Sequence, residues 1–192
     1  MKKLLIVNAC VNRKTSRTDR LAHAVSSFYK DYDVEELILE DMHLEPMNSE
    51  ILAKRDAFLR SGSFEDPLFD LAHKFVSADI IIVASPYWET MFNSMLHIFI
   101  EHVAVVGLTF RYSPEGIPIG LCKAEKFYYV TTRGGPIPDE ADLGYQIYSG
   151  LAHMYGIKEC MPVSAQALDI VGNDPDAIMD VVISQLPTIV RP

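Results

Sequence analysis

The stretch Leu4-Leu5-Ile6-Val7-Asn8-Ala9, running into Cys10-Val11-Asn12-Arg13-Lys14-Thr15-Ser16-Arg17-Thr18-Asp19-Arg20, decides the fold. Residues 4–9 are a short apolar run containing branched Ile6 and Val7, which suits a strand buried on both faces rather than a helix. A polar turn follows, and then Leu21, Ala22, Val25 and Phe28 recur every three or four residues, which predicts a helix over 18–29. Strand, turn and helix in that order are the first half of a strand-helix-strand unit.

The pattern repeats along the chain. Further strands are expected at 34–39, 80–84, 127–131 and 161–165, the last with the weakest signal. Helical spacing covers 93–106, where Met95, Leu96, Phe99, Ile100 and Val103 share a face, and also 143–155 and 174–186. Two more helices, at 49–60 and 64–76, fill the long connection between the second and third strands. Alternating strands and helices predict an α/β, doubly wound five-stranded parallel sheet with helices on both faces, in the strand order 2-1-3-4-5. No linker, repeat or composition break divides the chain, so 1–192 reads as a single domain.

Composition narrows the function. The 192 residues are 49% hydrophobic and 22% charged, which excludes disordered, collagen-like and coiled-coil classes. Seventeen Lys and Arg against 26 Asp and Glu give a net charge of −9, opposite to the basic face that binds nucleic acid. Cys10, Cys122 and Cys160 lie far apart without a CxxC pair, so neither a disulfide framework nor a zinc-finger spacing is present. The apolar run after Lys2 and Lys3 is too short for a signal peptide, and no segment spans a membrane. A cytoplasmic protein is expected.

In such a sheet, ligands bind beyond the carboxyl ends of the strands, at the switch between the first and third. Three loops meet there. The first, 10–18, has no glycine, so it is neither a dinucleotide fingerprint nor a P-loop. It offers the hydroxyls of Thr15, Ser16 and Thr18 and cations at Arg13, Lys14, Arg17 and Arg20, at a helix N-terminus suited to phosphate. The plainer reading is a capping box of Ser16 with Asp19. The second loop, Ser85-Pro86-Tyr87-Trp88-Glu89-Thr90-Met91-Phe92-Asn93, carries the one Trp and makes an aromatic wall, or simply a plug under the loop. The third, Thr131-Thr132-Arg133-Gly134-Gly135-Pro136, provides a glycine ledge that a ligand can approach closely, or a plain turn. Phosphate seat, aromatic wall and glycine ledge together describe a site for a phosphorylated planar heterocycle, for which FMN is the best fit.

Four motifs in order carry a resemblance over nearly the whole chain. Gly107-Leu108-Thr109-Phe110-Arg111-Tyr112, with Pro114-Glu115-Gly116 after it, is similar to the G-[VL]-T-F-R-Y segment of azoreductases. Thr132-Arg133-Gly134-Gly135 is similar to their S-R-G-G, and Ser16-Arg17-Thr18 to their S-x-S phosphate turn. Pro86-Tyr87-Trp88-Glu89-Thr90 stands in the place of P-M-Y-N-F. The chain thus resembles the flavodoxin-like FMN-dependent NAD(P)H oxidoreductases, the azoreductase and NAD(P)H:quinone reductase family.

That resemblance implies noncovalent FMN, with its phosphate at Ser16, Arg17 and Thr18 and its ring along Tyr87, Trp88, Glu89 and Thr90 and the turn from Thr132 to Gly135. It implies ping-pong transfer of two electrons from NAD(P)H to quinone, azo or nitro acceptors, with the flavin carrying the chemistry and no side-chain acid or base. It also implies a homodimer, which the wide apolar faces of 93–106 and 143–155 favour, with Tyr112 and the partner's Met154 as candidates to close over the flavin. Cys10 and Pro86 are counted with the cofactor-binding residues; the sequence departs from the family at Cys10, where Ser is usual and the thiol itself is expected to be structural rather than redox-active, at Glu89 in place of Asn, and at Thr90 in place of Phe. Glu89 has two readings: a carboxylate turned towards the ring that lowers the flavin potential, or one turned to water.

Other classes fit less well. A phosphoacceptor receiver domain needs acidic residues after the first strand and an Asp ending the third, where this chain has Cys10 and Ser85-Pro86. A flavodoxin-type electron carrier, which binds FMN without NAD(P)H turnover of its own, uses a glycine-rich phosphate loop that is absent here. His97, Glu101 and His102 lie on a helix that also bears core positions, and without HExxH they predict no metal.

Overall fold

A computed structural model describes residues 1–190. Its central sheet contains β1 (Lys3–Asn8), β2 (Asp33–Ile38), β3 (Ile80–Ala84), β6 (Lys126–Thr132) and β7 (Glu159–Ala165). They lie in the order β2-β1-β3-β6-β7, every pairing parallel. Counting only these strands, that is the expected 2-1-3-4-5.

The alternation of side chains along the strands feeds two cores. Leu5 and Val7 of β1 and Ile81 and Val83 of β3 point to one face, where α4 (Asp70–Ser77), α5 (Ser94–Val103) and α6 (Leu143–Tyr155) add Phe75, Phe99 and Tyr148. Leu4, Ile6, Ile80 and Ile82 point to the other, against Leu21 and Val25 of α1 (Arg17–Ser26) and Met179 and Leu186 of α7 (Pro175–Ile189). Because both faces are covered, β1, β3 and β6 read in sequence as continuous apolar runs, whereas the edge strand β2 carries Asp33, Glu35 and Glu36.

The connections differ from expectation in three places. The helix expected over 64–76 begins only at Asp70, because Asp66 caps a separate 3-10 turn that Pro67 opens. A four-residue α2 (Leu39–Met42) precedes α3 (Ser49–Ser61), which has no fully buried residue and packs through Phe58 and Leu59 beside Phe69. An antiparallel hairpin, β4 (Phe110–Tyr112) with β5 (Pro118–Gly120), projects between α5 and β6. Gly120 is required there: a Cβ would come within 2.0 Å of the Tyr155 backbone at the end of α6. No helix among the described residues is long and apolar enough to cross a membrane.

Candidate active site

The first loop makes its turn without glycine. Asn12 takes the left-handed conformation, φ 52°, and Arg13–Thr15 form one 3-10 turn. Ser16 is then the N-cap of α1, its Oγ accepting the Asp19 N–H at 3.2 Å. Only half of the expected capping box forms, since the Asp19 carboxylate accepts instead from the Asn8 amide at 2.5 Å. The first N–H groups of α1 have no acceptor within the helix and mark its positive end.

Ser16, Arg17 and Thr18 line a recess of about 230 Å³ closed by Pro86 and Trp88 of the second loop and Thr132 of the third. Thr18 and Thr132 meet there, hydroxyl to hydroxyl at 2.6 Å. Of the four expected cations, Arg17 lines the recess. Arg13 pairs with Asp41 at 3.1 Å and Arg20 with Asp180 at 2.5 Å, and both are thereby held outward. Lys14 borders a separate hollow with Thr15 and Glu40. Hydroxyl donors, one guanidinium and a helix N-terminus are the donor set of a phosphate or similar anion.

Trp88 and Met91 exchange backbone hydrogen bonds at 2.8 and 2.9 Å, forming a two-residue turn at whose tip Glu89 (φ 50°) and Thr90 (φ 73°) are both left-handed. Such turns ordinarily use Asn-Gly, and a β-branched residue in this region is strained. Asn93 anchors the loop's far end. Its Oδ1 caps α5 through the Leu96 N–H at 3.3 Å, and its Nδ2 donates at 2.5 Å to the Ala9 carbonyl at the end of β1. In the sequence Asn93 ends the second loop and opens the helix; its capping role is a recognisable N-cap signal, whereas its bond to Ala9 has no local signature.

Trp88, 47% exposed, also borders a cavity of about 650 Å³ with Pro46, Met91, Phe92, His97, Ile98 and Glu101. That is the size of a small-molecule site. Glu89 lies on its rim. A polar, anion-suited recess therefore adjoins an apolar cavity, with one indole common to both.

The third loop shows why it needs its glycines. A Cβ at Gly134 would lie 2.4 Å from the Asp169 carboxylate, so this glycine accommodates the chain's own next loop rather than a ligand. Gly135 has open space. The Arg133 side chain is buried beneath the ledge, paired with Asp142 at 2.7 Å and Asp139 at 2.8 Å, with Tyr87 stacked 5.7 Å away. Arg133 thus supports the ledge, and of this turn's side chains it is Thr132 that lines the recess. Cys10 is likewise buried. Its thiol lies 3.9 Å from the Ala84 carbonyl, and burial pushes its pKa up to about 12, so it is a structural thiol that does not line the recess, contrary to its expected place among the cofactor-binding residues.

Tyr112, 53% exposed, sits on the hairpin and Met154 on α6, packed against the core. Neither borders the recess or the cavity of its own chain. His102 binds the Glu45 carbonyl at 2.9 Å and Glu101 accepts the Met47 N–H at 3.0 Å, so these two residues fasten the 45–47 segment to α5.

Residues 2–186 match the sequence model of the family described as a flavodoxin-like fold. An FMN-dependent NADH:quinone oxidoreductase of Clostridium beijerinckii is 30% identical over 190 residues, covering 94% of this chain and 93% of that one. The chain belongs to the flavodoxin-like family of FMN-dependent NADH:quinone oxidoreductases. Two solved structures share the fold. An azoreductase from Bacillus anthracis str. Sterne superposes with a TM-score of 0.83 at 20% identity, over 99% of both chains. An FMN-dependent NADH-azoreductase from Bacillus anthracis str. Ames Ancestor, solved in complex with FMN, gives 0.81 at 16% identity over 98% of both. The donor set of the recess suits this family's cofactor, since FMN carries one terminal phosphate and a flat ring.

Proposed function

We propose that the protein binds FMN and passes two electrons from NAD(P)H to quinone, azo or nitro acceptors, the two substrates occupying one pocket in turn. The observation that carries this reading is the anion recess opening beside an apolar cavity of substrate size, with Trp88 common to both. Ser16, Arg17, Thr18 and the N-terminus of α1 hold the phosphate. The backbone of 87–90 and of Gly135, with the Trp88 indole, borders the ring. Bound FMN supplies the reversible two-electron chemistry. The chain's own work is to orient the ring and to leave one open face for nicotinamide and acceptor. A flavodoxin-type carrier has no need for a cavity of this size beside its flavin, which favours the enzyme.

The reading includes a homodimer. Tyr112 and Ile117 of the hairpin and Leu143 of α6 are exposed apolar residues that a second copy covers, with Tyr112 and the partner's Met154 closing over the ring. It also includes a reducing cytoplasm, in keeping with three free cysteines.

Steady-state NADH oxidation with a quinone acceptor tests the proposal. The expected result is rapid turnover with parallel double-reciprocal lines at several acceptor concentrations. Intersecting lines mean that both substrates bind together, and absence of turnover by a flavin-loaded protein means a carrier.

A further inference from the structure

Behind the recess, α1 and β2 bring together three side chains that the proposed reaction does not use. Asp19, His23 and Glu36 each present one ligand-capable atom, and these atoms lie within 4.8 Å of one another. His23 Nε2 is 3.4 Å from Glu36 Oε2, and His23 Nδ1 is 3.6 Å from Asp19 Oδ2. Nδ1 also lies 2.9 Å from the Asp19 carbonyl oxygen. With Nδ1–H donating to that carbonyl, the lone pair of Nε2 faces Glu36 Oε2, while Asp19 Oδ2 lies nearer the Nδ1 side of the ring. An imidazole whose other nitrogen donates to a backbone carbonyl is the arrangement that metal-bound histidines adopt.

Asn8 ties the two carboxylates of the cluster together. It is fully buried at the end of β1, where its Oδ1 accepts the Cys10 N–H at 2.9 Å. Its Nδ2 donates to Asp19 Oδ1 at 2.5 Å and to Glu36 Oε1 at 2.7 Å. One amide thus holds one oxygen of each carboxylate, which turns Asp19 Oδ2 and Glu36 Oε2 towards the same imidazole. Outer contacts of this kind orient the ligands of metal sites. Bonds of about 2.0–2.1 Å in a tetrahedron separate neighbouring ligand atoms by about 3.4 Å, which the separation of His23 Nε2 from Glu36 Oε2, 3.4 Å, matches.

Arg20 is turned away to Asp176 and Asp180, and burial keeps the neighbouring Cys10 thiol protonated. The imidazole is itself titratable. Burial pulls its pKa down, but the Asp19 carbonyl and the two carboxylates outweigh that and raise it, so protons compete for Nε2 at acid pH.

We propose that Asp19, His23 and Glu36 form a binding site for a divalent first-row transition cation, Zn²⁺ being the best match, with water completing the coordination on the exposed side. The mixed nitrogen and oxygen donors suit such a cation better than Ca²⁺ or Mg²⁺, which prefer all-oxygen sites. The site stands independently of the proposed reaction.

The test is calorimetric titration of the chelator-treated full-length protein with Zn²⁺, and of the same protein with Co²⁺ followed by absorption. One ion should bind per chain, and His23→Ala and Glu36→Gln should each weaken binding by at least about tenfold. Affinity should fall as pH is lowered through the imidazole's titration, and the Co²⁺ spectrum should lack a thiolate charge-transfer band. The His23 side chain is half exposed, so its loss opens no core, and unchanged thermal unfolding of the metal-free variant confirms this. Absence of Zn²⁺ binding by the wild-type protein, wild-type affinity retained in either variant, or a thiolate band from Co²⁺ overturns the proposal.

Discussion

Thr18 and Thr132 are far apart in the chain, yet their hydroxyls meet at 2.6 Å on the floor of the recess. That contact depends on β1 and β6 lying on either side of β3, so either residue in isolation is an ordinary threonine. The motifs made Ser16, Arg17 and Thr18 legible because a helix N-cap has a local signature. Arg133 was legible only as part of a motif. Its burial and its pairing with Asp142 depend on how α6 returns to the sheet. Asp142 does two jobs, holding Arg133 at 2.7 Å and capping α6 through the Tyr145 N–H at 3.2 Å. Asp142→Ala leaves a buried guanidinium short of a partner and should destabilise the fold by about 3–5 kcal/mol, with weaker FMN binding. Denaturant unfolding measures it, and a loss below about 1 kcal/mol would show that Asp139 alone holds the arginine. The turn at Glu89 and Thr90 was not legible, because nothing in Glu-Thr advertises positive φ at both positions. The turn leaves Glu89 exposed, so solvent screens its carboxylate. Glu89→Gln should therefore move the two-electron flavin potential by less than about 10 mV. A rise of several tens of millivolts on potentiometric titration would instead put the charge against the ring.

At the scale of elements, β1, β3 and β6 were readable because each is apolar on both faces, and the edge strand β2 by its partly alternating pattern, whereas the hairpin was not. Its two strands have three residues each, one beginning with Pro118 and ending in Gly120, and neither propensity nor period survives in so few residues. The amino edge of the sheet shows how elements are tied together away from the cleft. Asp79, just before β3, accepts the Lys3 N–H at 2.7 Å and the Lys123 ammonium at 2.8 Å. Burial raises its pKa, but these two donors outweigh it and leave the carboxyl below its usual value. A lowered carboxyl pKa contributes stability that is present above the unfolded-state value and is lost as pH falls through the native one. Asp79→Asn should thus reduce stability by about 1–2 kcal/mol at neutral pH, the difference from wild type shrinking to nothing on acidification. A deficit that persists unchanged at acid pH would locate the effect in packing rather than in charge.

Across the whole molecule, strand order alone places the ends of β1, β3 and β6 side by side, and the functional loops are the three segments leaving those ends. The order was readable from the succession of strands and helices, and with it the position of the cleft. The depth of the cleft was not, because the larger cavity depends on Pro46, from the long connection before α3, lying opposite Trp88 and α5. The central claim is that this cleft binds FMN by its phosphate. The most direct test is fluorescence titration of flavin-free protein with FMN and, separately, with riboflavin, which has the same ring and no phosphate. FMN should bind in a one-to-one ratio and far more tightly than riboflavin. Replacing Ser16 and Thr18 together by Ala should weaken FMN by roughly 1–3 kcal/mol for each donor lost while leaving riboflavin nearly unchanged. Equal affinity for the two flavins, or a double variant that binds FMN as tightly as wild type, would contradict the phosphate seat at the start of α1.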